Sequence, residues 1–200
     1  FEEMKKDGYS FLIHRINHVA EMCDYLRLDH FRAWDTYCVI PSEDDNARRG
    51  KWLEGPRTDF FDELYRLNPD IKIIAEDLGI LFDSVHELRD YYNLPGMFVA
   101  EFAIFDPNGH SNENTIVYPG THDNQTVRGW FKTLPSWDYP MVTGKLGTTE
   151  NLENAFLEYT WNLPSLITIF AMQDLLGLDD EARMNTPGTL GSPNWEWKLV

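Results

Sequence analysis

Short apolar runs followed by an acidic side chain recur along this 200-residue chain. The acids are Asp29, Glu76 and Asp123, and the runs before them are residues 25–28, 71–75 and 115–118. The differences 76 − 29 and 123 − 76 both equal 47. Such a run is typical of a buried strand whose last side chain emerges at the rim of a sheet. In a barrel of alternating strands and helices that rim carries the active site, so the pattern predicts that the three acids form one constellation.

The rest of the pattern predicts helices that alternate with strands. Ser10 caps a first helix whose apolar face consists of Phe11, Leu12, Ile16, Val19, Met22 and Cys23. The predicted helices cover residues 11–24, 58–67, 81–92 (or from 83 or 84), 124–132, 150–161 and 180–184, the last capped by Asp179. The predicted strands cover residues 26–29, 71–76, 98–105 and 115–118, and residues 167–172 are a helix end or a last strand. Residues 34–56 and 135–147 are predicted to be irregular. This alternation predicts an α/β fold with a largely parallel sheet, in one domain spanning residues 1–200.

The composition and net charge of the chain limit the kinds of molecule that it could bind. The apolar fraction is 42% and the formal net charge is −16, which indicates a folded protein and disfavours nucleic acids and anionic membranes as partners. A neutral sugar is indifferent to that charge. Cys23 and Cys38 are too few for a disulfide scaffold and lack metal-ligand spacing. With no signal peptide and no apolar run long enough for a bilayer, we expect a cytoplasmic protein, and the first residue, Phe1, indicates a fragment or processed piece.

The three acids suit the cleavage of an acetal between two sugars. That reaction needs one carboxylate to attack or stabilise the anomeric carbon and one carboxyl group to protonate the leaving oxygen. Arg27 lies two residues from Asp29, on the same face of a strand, and would favour the ionised form that attack requires. Glu76 emerges from an apolar run, where partial burial would favour the protonated donor. Asp123, beside His122, would hold substrate hydroxyls.

Simpler roles compete with this interpretation. An acid after a strand is often only a loop former or a helix cap, and the pair His122–Asp123 is also typical of metal-dependent phosphohydrolases. The other histidines, His14, His18, His86 and His110, have no ligand spacing to that pair. We therefore expect neither a metal nor a cofactor. The aromatic residues Trp34, Tyr37 and Trp52 could stack on sugars or simply pack.

In combination, several motifs resemble one family. They are Tyr25-Leu26-Arg27-Leu28-Asp29-His30-Phe31-Arg32, Ile74-Ala75-Glu76-Asp77-Leu78-Gly79, Leu94-Pro95-Gly96-Met97, Tyr118-Pro119-Gly120-Thr121-His122-Asp123-Asn124, Gln173-Asp174-Leu175-Leu176-Gly177-Leu178, Glu181-Ala182-Arg183-Met184-Asn185-Thr186-Pro187-Gly188-Thr189 and Asn194-Trp195-Glu196-Trp197. Together they resemble the 4-alpha-glucanotransferases, also called amylomaltases or disproportionating enzymes. The motifs span nearly the whole chain in the order that the family has.

The resemblance implies a TIM (β/α)8 barrel, of which this chain covers about the second half, strands 4 to 8, since family members are longer. It implies retaining transfer of alpha-1,4-glucan segments from malto-oligosaccharides, starch or glycogen fragments, in carbohydrate metabolism and without a cofactor.

By that resemblance, Asp29 is the nucleophile, Glu76 the general acid/base and Asp123 the acid that stabilises the transition state. Substrate contacts fall on Arg27, His30, Asp106 and His122, and also on either Asn185 or Asn194. The alternatives are a retaining alpha-glucan hydrolase of the alpha-amylase clan and a non-catalytic glucan-binding fragment.

Overall fold

The computed structural model describes residues 1–199. The chain forms two compact units, the first spanning residues 1–97 and the second beginning at residue 98. Each unit is described by itself below. The expectation of a single domain stays a prediction, since two compact units can belong to one larger fold.

In the first unit, helices alternate with two parallel strands. The helices are α1 (Glu2–Lys6), α2 (Ser10–Ala20), α3 (Arg32–Asp35), α4 (Arg57–Leu67) and α5 (Asp83–Tyr91). The two parallel strands are β1 (Leu26–Leu28) and β4 (Ile73–Ala75), and Leu28 pairs with Ala75 in their register. Both strands lie close to the bounds that the apolar runs predict, and they confirm α/β architecture with parallel pairing in this unit.

An aromatic cluster forms the core beside these strands. Phe31, Phe60 and Phe61 are all 0% exposed. Trp34 stacks on Phe60 with ring centroids 4.3 Å apart, and Tyr9 meets the same ring edge-on at 5.5 Å. Aromatic rings bury large areas and prefer such offset and edge-to-face contacts. The cluster packs against β1 and β4 and fixes the layer from which the strand ends emerge.

An antiparallel hairpin occupies the segment that the sequence predicts to be irregular. Its strands are β2 (Thr36–Val39) and β3 (Lys51–Glu54), and a short 3-10 helix, Ala47–Arg49, precedes β3. The prediction of an irregular segment over 34–56 was wrong. Every residue of β3 is exposed, so this strand lacks the apolar alternation by which a half-buried strand is recognised.

The first long helix also differs from its prediction. It begins at Ser10 rather than after it, with Tyr9 in a left-handed conformation (φ 55°) as the preceding residue, and it ends at Ala20. Ile13 and Ile16 are its buried residues. The expected apolar face was wrong in part, because its members Phe11, Val19 and Met22 are exposed. Ile16 is buried, and Leu12 is partly buried against the core. The later helix α5 begins at Asp83, one of the two alternative starts.

The second unit contains a three-stranded sheet in the order β5–β6–β7. The strands are β5 (Gly96–Val99), which begins just before the unit boundary, β6 (Thr115–Tyr118) and β7 (Ile167–Thr168), and β6 and β7 are parallel. The helices are α6 (Ala100–Ala103), α7 (Val127–Thr133), α8 (Tyr139–Leu146), α9 (Leu152–Trp161) and α10 (Met172–Leu175). A 3-10 turn at Asp180–Ala182 is capped by the Asp179 side chain, as predicted, although it is shorter than expected. Phe156 and Phe131 pack edge-on in the core of this unit.

Two stretches of the second unit were predicted with the wrong element. The apolar stretch 98–105 was expected to be a strand, but the strand ends at Val99 and a helical turn follows. Ala100 and Ile104 are both 0% exposed there, and residues four apart share one face of a helix. Residues 135–147 were expected to be a loop but contain α8. Its Pro140 lies in the first turn, where no backbone donor is needed, and Gly147 ends it with φ 69°.

We expect the aromatic cluster to carry much of the stability of the first unit. Phe61→Ala should lower the free energy of unfolding of the intact protein by about 3–5 kcal/mol, since it leaves a cavity among rings that cannot close around it. Phe11→Ala is the matched control, because Phe11 is 62% exposed, and it should cost about 0.5 kcal/mol or less. Denaturant titration followed by tryptophan fluorescence measures both. Equal losses for the two variants would contradict this description of the core.

Candidate active site

The register of β1 and β4 places two of the predicted acids side by side in the first unit. Leu28 pairs with Ala75 in a parallel ladder, and Asp29 and Glu76 are the residues that follow this pair. Neighbouring strands lie about 4.8 Å apart, so the two side chains leave the sheet at the same edge. The 47 residues between these acids equal the sequence offset between paired residues of the two strands, for example Leu28 and Ala75.

Asp29 is held by the arginine on its own strand. Arg27 Nη1 lies 2.7 Å from Asp29 Oδ1, and Arg27 Nε also contacts the sulfur of Met97 at 3.2 Å. The Asp29 side chain is 78% exposed, so it is open to a substrate. The expected ion pair across one face of the strand is therefore present.

Glu76 is bound by backbone donors at both of its carboxylate oxygens. The N–H of His30 donates to Oε2 at 2.7 Å and the N–H of Leu78 donates to Oε1 at 3.1 Å. His30 adopts a left-handed conformation, with φ 48°, which is uncommon for residues other than glycine and strains the backbone. The N–H of Phe31 also donates to the Glu76 carbonyl. The turn after Asp29 therefore wraps around the end of β4.

Asp77 supports this turn and was missed as a functional residue by the sequence reasoning. Its carboxylate accepts from Arg89 Nη1 at 2.5 Å and from the N–H of Met97 at 2.8 Å. A Cβ on Gly96 would come within 2.4 Å of Asp77 Oδ2, so only glycine leaves room for this carboxylate. No local pattern in the sequence marks Asp77, because its partners lie 12 and 20 residues further along the chain.

Asp123, in the second unit, is surrounded by residues from a late segment of the chain. Asn185 Nδ2 donates to Asp123 Oδ1 at 2.6 Å, and Arg183 Nη2 donates to the Asp123 carbonyl at 2.7 Å. His122 Nε2 lies 3.5 Å from Asp123 Oδ2, and the rings of His122 and Trp195 are 5.1 Å apart. The expected pair His122–Asp123 therefore has two further neighbours, the Asn185 amide beside Asp123 and the Trp195 ring beside His122.

The two asparagines that the sequence left open have different contacts. Asn185 touches Asp123, as described above. Asn194 instead accepts from the N–H of Thr186 at 2.8 Å and donates to Thr189 Oγ1 at 2.9 Å. Asn194 therefore holds its own loop together, and Asn185 is the one that faces a candidate site residue.

Asp106 makes local contacts. Its carboxylate accepts from the N–H of Asn108 at 2.8 Å, and its carbonyl accepts from Lys145 Nζ at 3.4 Å. Asp106 is exposed. Within residues 1–199 its hydrogen bonds do not join it to Asp123 or His122, so a role in sugar binding stays a prediction.

The start of α7 is capped by carboxylates from other parts of the second unit. The helix expected over residues 124–132 begins at Val127, three residues later, and Thr126 caps it, with its Oγ1 accepting from the N–H of Gly129. Asp174 Oδ1 accepts from the N–H of Val127 at 2.8 Å, and Asp180 Oδ1 accepts from that of Thr126 at 3.1 Å. Anions at a helix N-terminus satisfy its free N–H groups and its dipole.

The comparison with known families concerns the chain as a whole. A family model for the glycoside hydrolase 77 family, described as 4-alpha-glucanotransferase, matches residues 1–200. The chain belongs to this family. The motifs that resemble 4-alpha-glucanotransferases in the sequence are therefore confirmed as a family signature.

Several 4-alpha-glucanotransferases are similar to this chain over its whole length. The enzyme of Streptococcus pneumoniae serotype 4 is 38% identical over 210 residues, which cover 100% of this chain and 41% of that protein. The chloroplastic/amyloplastic enzyme of Solanum tuberosum is 38% identical and is covered to 36%. The chain thus spans about two fifths of the length of the relatives it matches.

Solved structures agree with this membership. An amylomaltase from Streptococcus agalactiae in complex with acarbose superposes with a TM-score of 0.92 at 32% identity, covering 100% of this chain and 42% of that one. An amylomaltase from Corynebacterium glutamicum superposes with a TM-score of 0.75 at 15% identity, covering 96% of this chain and 34% of that one, which shows a shared fold alone.

Two kinds of feature are absent from the part of the chain that the structure describes. Residues 1–199 contain no group of three or more His, Cys, Asp and Glu side chains arranged to hold a metal ion. Over the same residues, no helix has the length and apolar character needed to cross a membrane.

We expect Asp77 to stabilise the turn that carries Glu76. Asp77→Ala should lower the free energy of unfolding by about 3 kcal/mol, because it leaves Arg89 without its most buried partner and frees the N–H of Met97. Glu87→Ala on α5 is the control, since Glu87 is exposed and should change stability by about 0.5 kcal/mol at most. Chemical denaturation of the intact variants measures the difference. A tolerated Asp77→Ala would contradict the supporting role.

Proposed function

We propose that the protein containing this chain is a 4-alpha-glucanotransferase that moves alpha-1,4-linked glucan segments between malto-oligosaccharide, starch or glycogen chains. The observation that carries the proposal is the position of Asp29 and Glu76 after paired residues of two parallel strands. Family membership across residues 1–200 supports it, as do relatives named 4-alpha-glucanotransferase. A structural relative solved with acarbose supports a sugar ligand.

The proposed first step is attack by Asp29 on the anomeric carbon of the donor glucan. A carboxylate bond to that carbon forms while the bond to the leaving oxygen breaks, and Glu76 gives that oxygen a proton. The Arg27 contact at 2.7 Å holds the Asp29 side chain in one orientation. In a retaining enzyme of this kind the two carboxyl groups lie about 5–5.5 Å apart, which fits residues on adjacent strands.

Glu76 has to hold a proton before this step. In the structure its two oxygens accept from the N–H groups of His30 and Leu78, which hold the carboxyl group at the ends of the strands. A bound glucan excludes water from the strand ends and brings the glycosidic oxygen to the carboxyl group. We infer that substrate binding replaces one of these backbone contacts with a contact to the glycosidic oxygen, since catalytic hydrogen bonds commonly tighten only in the complex.

The second step returns the enzyme to its starting state. Glu76, now ionised, takes the proton from the 4-hydroxyl of an acceptor glucan, whose oxygen attacks the anomeric carbon and releases Asp29. Two inversions at one carbon give net retention. Transfer exceeds hydrolysis when the acceptor is held in place at a high effective concentration.

The proposed third acid is Asp123. With Asn185 on one oxygen and His122 near the other, it would hold sugar hydroxyls whose contacts strengthen as charge develops at the anomeric carbon. His30 and Asp106 complete the proposed set of substrate contacts. No cofactor takes part in the proposed reaction.

The proposed fold of the whole catalytic domain is a TIM (β/α)8 barrel, with this chain supplying strands 4 to 8. The parallel pairs β1–β4 and β6–β7 support that arrangement, and in such barrels the site lies at the carboxyl ends of the strands. We propose a cytoplasmic location, while the relative from Solanum tuberosum is named as chloroplastic/amyloplastic.

Incubation with maltotriose tests the proposed reaction against its closest rival. The intact protein should form glucose together with oligosaccharides longer than maltotriose, because a glucan segment passes to a second sugar. Production of maltose and glucose alone would indicate the retaining hydrolase instead. No turnover at all would favour a non-catalytic glucan-binding protein.

Substitution of the three acids tests their proposed roles. Asp29→Asn, Glu76→Gln and Asp123→Asn should each lower kcat about a thousand-fold or more, as removal of a directly acting group does elsewhere. Asp24→Asn and Glu87→Gln are matched controls on exposed side chains and should keep full activity. Initial rates of glucose release from maltotriose give kcat. An Asp29→Asn variant with normal turnover would overturn the assignment of the nucleophile.

Asn185 should matter through its contact with Asp123. Asn185→Ala removes the donor 2.6 Å from Asp123 Oδ1 and should lower kcat/KM about ten- to a hundred-fold, because a small displacement of a reacting group is costly. Asn154→Ala, an exposed asparagine on α9, is the control. The same maltotriose assay applies. Unchanged kcat/KM in Asn185→Ala would show that this contact does not serve the reaction.

A further inference from the structure

A buried carboxyl group in the second unit has no place in the proposed reaction. Glu101 lies on α6 with only 3% of its surface exposed. Its Oε2 accepts from Asn124 Nδ2 at 2.9 Å, while its Oε1 is buried and has no hydrogen-bond partner within residues 1–199. A Cβ on Gly120 would come within 3.0 Å of Oε1. A glycine at that position therefore makes room for this carboxyl group directly beneath the turn 121–124.

Glu101 is the first member of a chain of hydrogen bonds that ends at Asp123. Asn124 uses its amide nitrogen on Glu101 and its amide oxygen on Thr121, accepting from the backbone N–H at 2.9 Å and from Oγ1 at 2.8 Å. Thr121 Oγ1 in turn accepts from the N–H of Asp123 at 3.3 Å. Because an amide side chain that donates on one side fixes which atom accepts on the other, Glu101 sets the orientation of Asn124.

We propose that Glu101 is a positioning residue: by holding Asn124 it fixes the turn that presents Asp123. The proposal rests on the proposed function, since Asp123 is assigned there as the third acid. The Glu101 side chain makes its hydrogen bond to Asn124 and none to Asp123. It acts through the network alone.

The charge state of Glu101 follows from its surroundings. Burial raises its pKa from the ordinary 4.5 to about 8, and the carboxylates of Asp174 and Asp180 add to that rise, while the Asn124 contact and the Arg183 guanidinium oppose it. At neutral pH the group is therefore protonated, and Oε2 remains an acceptor for Asn124. Glutamine has the same shape as this neutral acid and keeps an acceptor oxygen, whereas leucine has none.

Kinetics of the intact protein separate positioning from simple packing. We expect Glu101→Leu to lower kcat about ten- to a hundred-fold with little change in KM, because a displaced Asp123 fails in the transition state rather than in binding. Glu101→Gln should restore kcat to within about threefold of the parent. Glu113→Leu, an exposed glutamate in the same unit, is the control and should leave kcat unchanged.

A second variant covers the case in which Glu101→Leu does not fold. Asn124→Ala breaks the same network from the other side, so it should reproduce the loss of kcat, and adding Glu101→Gln to it should lower kcat no further. If Glu101→Leu folds and keeps parental kcat, or if Glu101→Gln loses as much as leucine does, the positioning role is overturned. A parent protein that shows no transfer from maltotriose would instead overturn the proposed function, which distinguishes the two failures.

The pH dependence of stability provides an independent readout. Between pH 4.5 and about 8 the unfolded chain releases the Glu101 proton while the folded protein retains it, so the free energy of unfolding falls as pH rises through this window. Glutamine does not titrate, so Glu101→Gln should not show the part of this decrease in the free energy of unfolding that Glu101 causes. The thermal midpoint of Glu101→Gln should therefore rise relative to that of the parent protein as the pH is raised from 5 to 8. Parallel curves for the two proteins would contradict a buried neutral Glu101.

Discussion

The parallel pairing of β1 with β4 is the interaction on which the candidate site depends. Three ladder pairs align the two strands, from Leu26 with Ile73 to Leu28 with Ala75. Because side chains alternate strictly along a strand, a slip of one residue would turn either acid to the other face. The buried side chains on both strands resist that slip, since it would expose them to water. Core packing therefore fixes the relative position of Asp29 and Glu76.

The turns beyond the strand ends are held by polar groups rather than by apolar packing. Around Glu76, backbone N–H groups bind the carboxylate and Asp77 ties the loop to Arg89. In the second unit, the Asn124 side chain accepts a hydrogen bond from Thr121 Oγ1 and donates one to the buried Glu101. Hydrogen bonds to charged or buried groups are directional and costly to break. Such contacts can hold a reactive side chain in place while leaving it exposed to substrate.

The sequence predicts those parts of this arrangement in which apolar runs form buried strands. The runs before Asp29 and Glu76 are buried strands, and their common interval of 47 residues corresponds to the register of the β1–β4 ladder. The hairpin 36–54 escaped prediction because its second strand is exposed throughout. The helix 139–146 escaped because Pro140 and Gly144 within it and Gly147 at its end are typical of a loop, although proline is tolerated in the first turn of a helix. Supporting residues such as Asp77 and Glu101 are defined by partners far along the chain, which no local pattern reveals.

In the proposed mechanism Asp29, placed beside Glu76 by the ladder, forms a covalent bond to the transferred sugar. The most direct measurement uses the Glu76→Gln variant with alpha-maltosyl fluoride, whose leaving group needs no proton, followed by acid quenching and mass spectrometry of the peptides. The account predicts an added maltosyl mass on the peptide that contains Asp29, localised to that side chain by fragmentation. An adduct on a different residue, or products of inverted anomeric configuration with no adduct, would contradict it.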